Sequence, residues 1–90
     1  MSGYVDGETT VGTTATVICT VQSANDGVMV QNSGAVTVYF GGPAVVAGSA
    51  VSLAANSGPI TLPTVGGASH ELYGITASST TTVSFLYVGQ

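Results

Sequence analysis

Glycine, proline, asparagine and aspartate divide this chain into apolar runs that suit β-strands and are too short for most helices. The turn signals NDG at 25–27, NSG at 32–34 and GGP at 41–43 separate runs such as VMVQ and AVTVYF. Within the runs, apolar residues recur at every second position, as a strand with one buried face requires. No stretch combines a helical period with capping residues. The pattern predicts an all-β chain.

Three of the runs show a clear period of two, so that alternate side chains share one face of a strand. In AVTVYF the side chains of Val36, Val38 and Phe40 share one face, which leaves Thr37 and Tyr39 on the other. In TTVSFLYVG the residues at 83, 85 and 87 alternate with those at 84, 86 and 88. In TTATVICTV one face holds Ala15, Val17, Cys19 and Val21, and the other holds Thr14, Thr16, Ile18 and Thr20.

The number of runs predicts a single small β-sandwich or jelly-roll-like barrel of about seven to eight short antiparallel strands. We place this domain at residues 13–90. The preceding segment, 1–12, contains three glycines and no continuous apolar face. We therefore expect an N-terminal arm that another subunit or an assembled lattice holds, with Tyr4 and Val5 as its anchors.

The composition excludes several classes of partner. Hydrophobic residues make up 44% of the 90-residue chain and charged residues only 4%, which predicts folding rather than disorder. Lysine and arginine are absent and the formal net charge is −4, so binding to nucleic acid or to an anionic membrane surface is not expected. With one cysteine there is no internal disulfide. Oligomerisation or docking is the remaining way to reinforce so small a domain.

The sequence offers little chemistry. His70 and Glu71 are adjacent, so on a strand they point to opposite faces and cannot act as an acid–base pair. Asp6 and Glu8 could contribute two oxygens to calcium, but a solvated acidic pair is the simpler interpretation. Cys19 lies in an apolar run and is interpreted as a buried hydrophobe. We expect no enzyme activity, no catalytic residue, no cofactor and no metal.

Tyrosine is the residue that points to a partner. If Val38 and Phe40 face the core, Tyr39 faces outward on a strand that carries no charge and no lysine to block pairing with other chains. Tyrosine supplies interface area and a hydroxyl. We predict a protein interface at Tyr4, Val5, Thr37 and Tyr39, with the 36–40 strand central in its sheet. A row of tyrosines that binds glycans stays open as an alternative.

The order of segments resembles small structural proteins of tailed-bacteriophage virions. The resemblance covers residues 28–89 and is carried by VMVQNSGAVTVYFGGPAVV, then AGSAVSLAANSGPITLP, then HELYGITASSTTTVSFLYVG. Proteins of this kind run a strand into an NTG-like turn and a VYLGG-like strand, and end in LYAITASGTATVRVLEVG-like sequence. This chain departs from them at Ser84 and Phe85, where they often place a charged residue.

The resemblance implies a non-enzymatic β-sandwich on the virion, most simply a decoration or accessory protein on the exterior of the head. Its partners would be the major capsid protein or another virion protein and its own copies, with a trimer favoured. The start MSGYVDGETTVG has no positive or apolar leader region, so we expect synthesis in the host cytoplasm. The alternative is a glycan-binding or adhesin-type recognition module on the virion surface or tail.

Overall fold

The computed structural model describes residues 3–21, 27–48, 51–62 and 70–89. Within them the chain forms eight strands, all paired antiparallel, and no helix. The strands are β1 (Gly3–Val11), β2 (Thr16–Val21), β3 (Val28–Asn32), β4 (Val38–Gly41), β5 (Val51–Leu53), β6 (Ser57–Leu62), β7 (His70–Thr76) and β8 (Thr81–Gly89). The prediction of a small all-β sandwich is confirmed.

The strands form two four-stranded sheets, ordered β1-β8-β3-β6 and β2-β7-β4-β5. The chain changes sheet at every connection except the one from β4 to β5, which are neighbours in the second sheet. Because of this alternation, each sheet contains strands that are distant in sequence. Eight strands in two sheets with this order are the arrangement of a jelly roll.

The core is built from branched aliphatic side chains between the two sheets. Five valines from four strands are almost completely buried: Val11, Val28, Val30, Val38 and Val83. Phe40 and Tyr87 are buried beside them, and Phe85 packs against the same cluster. The alternation predicted for the 36–40 and 83–87 runs is therefore confirmed, with Val36 half-buried just before β4.

Strand β2 departs from its predicted alternation. The sequence places Ile18 and Cys19 on opposite faces, whereas both are buried and Val17 is 37% exposed. The cause is a shift of register between Val17 and Cys19 in the pairing with β7, since a bulge inserts an extra residue and turns the side chains that follow. Gly74 of β7 makes room for Ile18, because a Cβ at this glycine would lie 2.7 Å from Cδ1 of Ile18.

The N-terminal segment is also different from the expected arm. Residues Gly3–Val11 form β1, which pairs along its whole length with β8, from Gly3 opposite Gly89 to Val11 opposite Thr81. The division into an arm at 1–12 and a domain at 13–90 is thus corrected, because β1 is one of the four strands of its sheet. Gly7 interrupts the apolar face of β1 because the ring of Phe85 occupies that space, 2.9 Å from where a Cβ would stand.

One buried amide joins the two sheets near the NSG turn. Nδ2 of Asn32 donates to the carbonyl oxygens of Val36 at 2.8 Å and Leu53 at 3.0 Å. Its Oδ1 accepts from the backbone N–H of Gly34 at 3.1 Å and from the hydroxyl of Thr81 at 2.6 Å. Asn32 is fully buried, and these four bonds use its full capacity on both atoms.

The other end of the sandwich is joined by two more side chains. The hydroxyl of Thr9 in β1 donates to the carbonyl of Ile18 at 3.1 Å, and the hydroxyl of Tyr87 in β8 donates to the carbonyl of Thr20 at 2.8 Å. Both acceptors belong to β2, an edge strand of the opposite sheet. These bonds give hydrogen-bond donors to backbone carbonyl groups of an edge strand, which has a neighbouring strand on one side only.

Replacing Asn32 with aspartate tests the amide junction. A carboxylate keeps the shape and the acceptors but has no donor for the carbonyls of Val36 and Leu53, so we expect a loss of about 3 kcal/mol in the free energy of unfolding. Urea denaturation measures it. Gln31→Glu makes the same chemical change at the adjacent exposed position and is expected to leave the midpoint nearly unchanged. Equal midpoints for the two variants would contradict the role of Asn32.

Candidate partner interface

Strand β4, which carries Tyr39, is not an edge of its sheet. It pairs with β7 on one side and with β5 on the other, so its backbone is covered within the chain. The predicted central placement of this strand is confirmed. The uncharged run 35–40 therefore needs no charged side chain to prevent edge pairing, and any partner of this strand must meet its outer face.

The four edge strands are β1, β6, β2 and β5, and each has its own obstacle to edge pairing. Strand β1 carries the exposed carboxylates of Asp6 and Glu8. Strand β6 contains Pro59, β5 has only three residues, and β2 has the bulge at Val17. Charge, proline, short length and bulges are the usual defences of sheet edges. Contacts with other molecules are therefore favoured at the sheet faces rather than at the edges.

The outer face of the β2-β7-β4-β5 sheet carries a continuous apolar and aromatic row. Tyr39 of β4 lies opposite Ile75 of β7, and Val17 of β2 lies opposite Tyr73 of β7. Tyr39 and Tyr73 are diagonal neighbours on adjacent strands, a spacing of about 7–8 Å that aromatic rings can bridge. We call these four residues, Val17, Tyr39, Tyr73 and Ile75, the tyrosine face. It crosses the three strands β2, β7 and β4.

The electrostatics of this face are nearly neutral. Its one neighbouring carboxylate among the described residues, Glu71, accepts a hydrogen bond from the hydroxyl of Tyr73 at 3.1 Å. This hydrogen bond raises the pKa of Tyr73, with a smaller contribution from desolvation. Tyr73 therefore stays protonated at neutral pH and its ring is held in place by Glu71. A flat aromatic surface with little charge resembles the centre of a protein–protein interface.

Of the four predicted interface residues, only Tyr39 belongs to the tyrosine face. Thr37 is half-buried and lies just before β4. Tyr4 is 78% exposed on the outer face of the other sheet, and Val5 is 38% exposed but shares the inner side with Tyr87, its pairing partner. The four residues therefore do not form one surface.

The predicted protein interface did not include Tyr73, Ile75 and Val17, although Tyr73 was among the tyrosines of the glycan-binding alternative. A signal for the first two was present in ELYGITA, where they alternate with Leu72, which packs against the core. The sequence did not predict that Tyr73 and Ile75 lie beside Tyr39, because this contact depends on the pairing of β7 with β4. The sequence pattern grouped Val17 with Cys19 on one face, and Val17 lies at the surface because of the bulge.

The described residues hold no cluster of side chains suited to metal binding. No group of three His, Cys, Asp or Glu side chains comes together among them. Cys19 is buried and free, and desolvation raises the pKa of its thiol to about 11, so it is protonated and unreactive at neutral pH. The side chain of His70 lies outside the described part of the structure.

The buried thiol predicts loss of stability in alkali. Burial raises the pKa of the Cys19 thiol to about 11 in the folded chain, whereas the thiol of the unfolded chain has its ordinary pKa of 9.0. Between these two values the unfolded state binds fewer protons than the folded state. The free energy of unfolding therefore falls by about 2 kcal/mol as the pH rises from 9 through 11. Denaturation midpoints at pH 8, 9, 10 and 11 measure this loss. Cys19→Ala is expected to have a shallower dependence, and an unchanged slope would contradict the assignment.

No family model, curated protein or solved structure matches this chain. Among the residues that the structure describes, no helix is both long and apolar enough to span a membrane.

Proposed function

We propose that this chain is a non-enzymatic structural protein of a tailed-phage virion, most simply a decoration or accessory protein of the head. It packs against neighbouring virion subunits, its own copies included, through the tyrosine face. The observation that carries this proposal is the row of Val17, Tyr73, Ile75 and Tyr39 on the outer face of one sheet, in a chain without lysine or arginine. The resemblance of residues 28–89 to small virion proteins supplies the biological setting.

The chemistry of the tyrosine face suits association with another copy of the chain. Two copies that meet through this face bring together aromatic rings, aliphatic side chains and few charges, so little charge is desolvated on contact. A second copy cannot offer a cation to any carboxylate, because the chain contains none. We therefore place the homo-oligomer, with a trimer as the favoured form, at the near-neutral face.

The fold is compatible with this function without selecting it. Jelly rolls serve as viral capsid domains and as lectins, among other roles. One fold hosts many functions, so the function of this chain is inferred from the chemistry of its surface. A position on the exterior of the head, after synthesis in the host cytoplasm, follows from the same proposal.

Replacing Tyr39 with lysine tests the interface. The ammonium would be desolvated and unpaired in the contact, so we expect a loss of about 2 kcal/mol per interface, or roughly thirtyfold in affinity. Sedimentation measures the oligomer, and occupancy on purified phage heads that lack their own copies measures incorporation. Thermal unfolding of the variant should remain cooperative, since Tyr39 is on the outer side of β4.

Thr13→Lys is the matched control, because it adds the same charge at an exposed position in the connection between β1 and β2. It is expected to leave the oligomer and the occupancy unchanged. Unchanged association of the Tyr39→Lys variant would contradict the proposed interface. Equal losses for both variants would show that net charge, and not the tyrosine face, governs assembly.

One observation favours the second candidate, a glycan-recognition module. An aromatic ring can stack on a sugar ring while a neighbouring carboxylate accepts hydrogen bonds from the sugar hydroxyls. Tyr73 and Glu71 form such a pair of ring and carboxylate beside Tyr39. Glycan-array binding that is lost in Tyr73→Ala would favour recognition. Stoichiometric binding to phage heads that is insensitive to salt and free glycans would favour the structural role.

A further inference from the structure

The outer face of the β1-β8-β3-β6 sheet differs in chemistry from the tyrosine face. Strand pairing arranges its side chains in rows across the sheet. One row runs Asp6, Leu86, Met29 and Thr61, each residue directly opposite the next. The row beside it begins with Glu8, Ser84 and Gln31. Each row thus starts with a carboxylate on β1 and continues over β8 and β3.

The middle of this face is a shallow apolar groove. Its lining includes Met29 and Leu86, together with Gln31 and with Pro59 of the edge strand β6. Met29 is 40% exposed, a large fraction for an apolar side chain in the second-to-last strand of a sheet. An exposed apolar groove of this kind accepts an aliphatic side chain of another molecule.

Acidic and aromatic residues of β1 lie beside the groove. Asp6 lies next to Leu86, and Glu8 accepts a hydrogen bond from the hydroxyl of Ser84 at 3.5 Å. Tyr4, two positions before Asp6, is 78% exposed on the same face. With neighbouring strands about 4.8 Å apart, the carboxylate of Asp6 is about two strand spacings from Met29. A lysine or arginine side chain spans that distance, and an aromatic ring can also receive its charge.

The composition of the chain identifies what can occupy this face. The chain has neither lysine nor arginine, so a second copy cannot pair with Asp6 and Glu8 and would instead place like charges opposite them. Nucleic acid and anionic membrane are repelled by the same carboxylates. Charge complementarity therefore requires a different protein that presents a cation beside an apolar side chain.

We infer that the outer face of the β1-β8-β3-β6 sheet, at Asp6, Glu8, Met29 and Leu86, binds a segment of another protein that carries lysine or arginine next to an aliphatic residue. The aliphatic side chain lies in the groove over Met29 and Leu86, and the cation pairs with Asp6 and Glu8 beside Tyr4. This inference rests on the proposed function in taking the partner to be a protein, and it assigns copies of the chain and the different partner to opposite faces of the sandwich.

Peptide binding by the full chain tests the inference without any phage particle. The chain has two methionines, Met1 and Met29, so labelling the methionine methyl groups gives a simple spectrum that reports directly on the groove. The probes are a peptide of alternating lysine and valine and a peptide of alternating glutamate and valine, of equal length. We expect saturable shifts of the Met29 methyl resonance with the lysine peptide only, weakening as sodium chloride is raised.

Two variants separate the site from general charge attraction. Glu8→Gln and Glu71→Gln each remove one carboxylate, but Glu8 lies beside the groove and Glu71 lies on the other sheet. We expect Glu8→Gln to weaken lysine-peptide binding about fivefold, the size of an exposed ion pair, and Glu71→Gln to leave it unchanged. Met29→Gln, read from amide shifts on β8, is expected to weaken it as well.

Three results would overturn the inference: no saturable shift at millimolar peptide, equal binding of the glutamate peptide, or equal weakening by Glu8→Gln and Glu71→Gln. The outcome is independent of the Tyr39→Lys experiment. If neither peptide binds while occupancy on the phage heads still depends on Tyr39, the inferred peptide site at Asp6, Glu8, Met29 and Leu86 is wrong and the proposed function stands. If Glu8-dependent peptide binding is found while the unsubstituted chain does not bind phage heads, the inferred peptide site stands and the proposed virion role is wrong.

Discussion

One buried amide joins the two sheets at the end of the sandwich that carries the NSG turn. Asn32 is the last residue of β3, and its four hydrogen bonds reach the NSG turn, the segment before β4, the end of β5 and the start of β8. Around it, the N–H of Ser33 donates to the carbonyl of Thr82 at 2.9 Å. A small sandwich has little core to orient its sheets, so a fully satisfied polar group at this junction selects one arrangement.

The arrangement that Asn32 stabilises separates the surface into two chemically different faces. One sheet presents tyrosine and aliphatic side chains with little charge, and the other presents a groove bordered by two carboxylates. The edges between them are blocked by charge, proline, a bulge and short length. A module built in this way meets other molecules through its faces, which is how a small subunit could join its own copies on one side and a different protein on the other.

Much of the fold could be predicted because strand alternation is a local property. The buried phases of β4 and β8 followed from the spacing of Val38, Phe40, Val83 and Tyr87. The two errors have local causes that the pattern conceals. The bulge in β2 moves Ile18 into the core and Val17 to the surface, and Gly7 in β1 marks the place of a ring from β8 rather than a flexible arm.

The sequence by itself determined that the chain is all-β, that it has no cation to offer a partner, and that Tyr39 points away from the core. Only the tertiary structure decided that β1 pairs with β8, that Tyr73 and Ile75 lie beside Tyr39, and that Asp6 and Glu8 border a groove formed by Met29 and Leu86. The physical reason is that alternation is encoded in neighbouring residues, whereas strand order depends on contacts between segments far apart in the chain, such as Asn32 with Thr81.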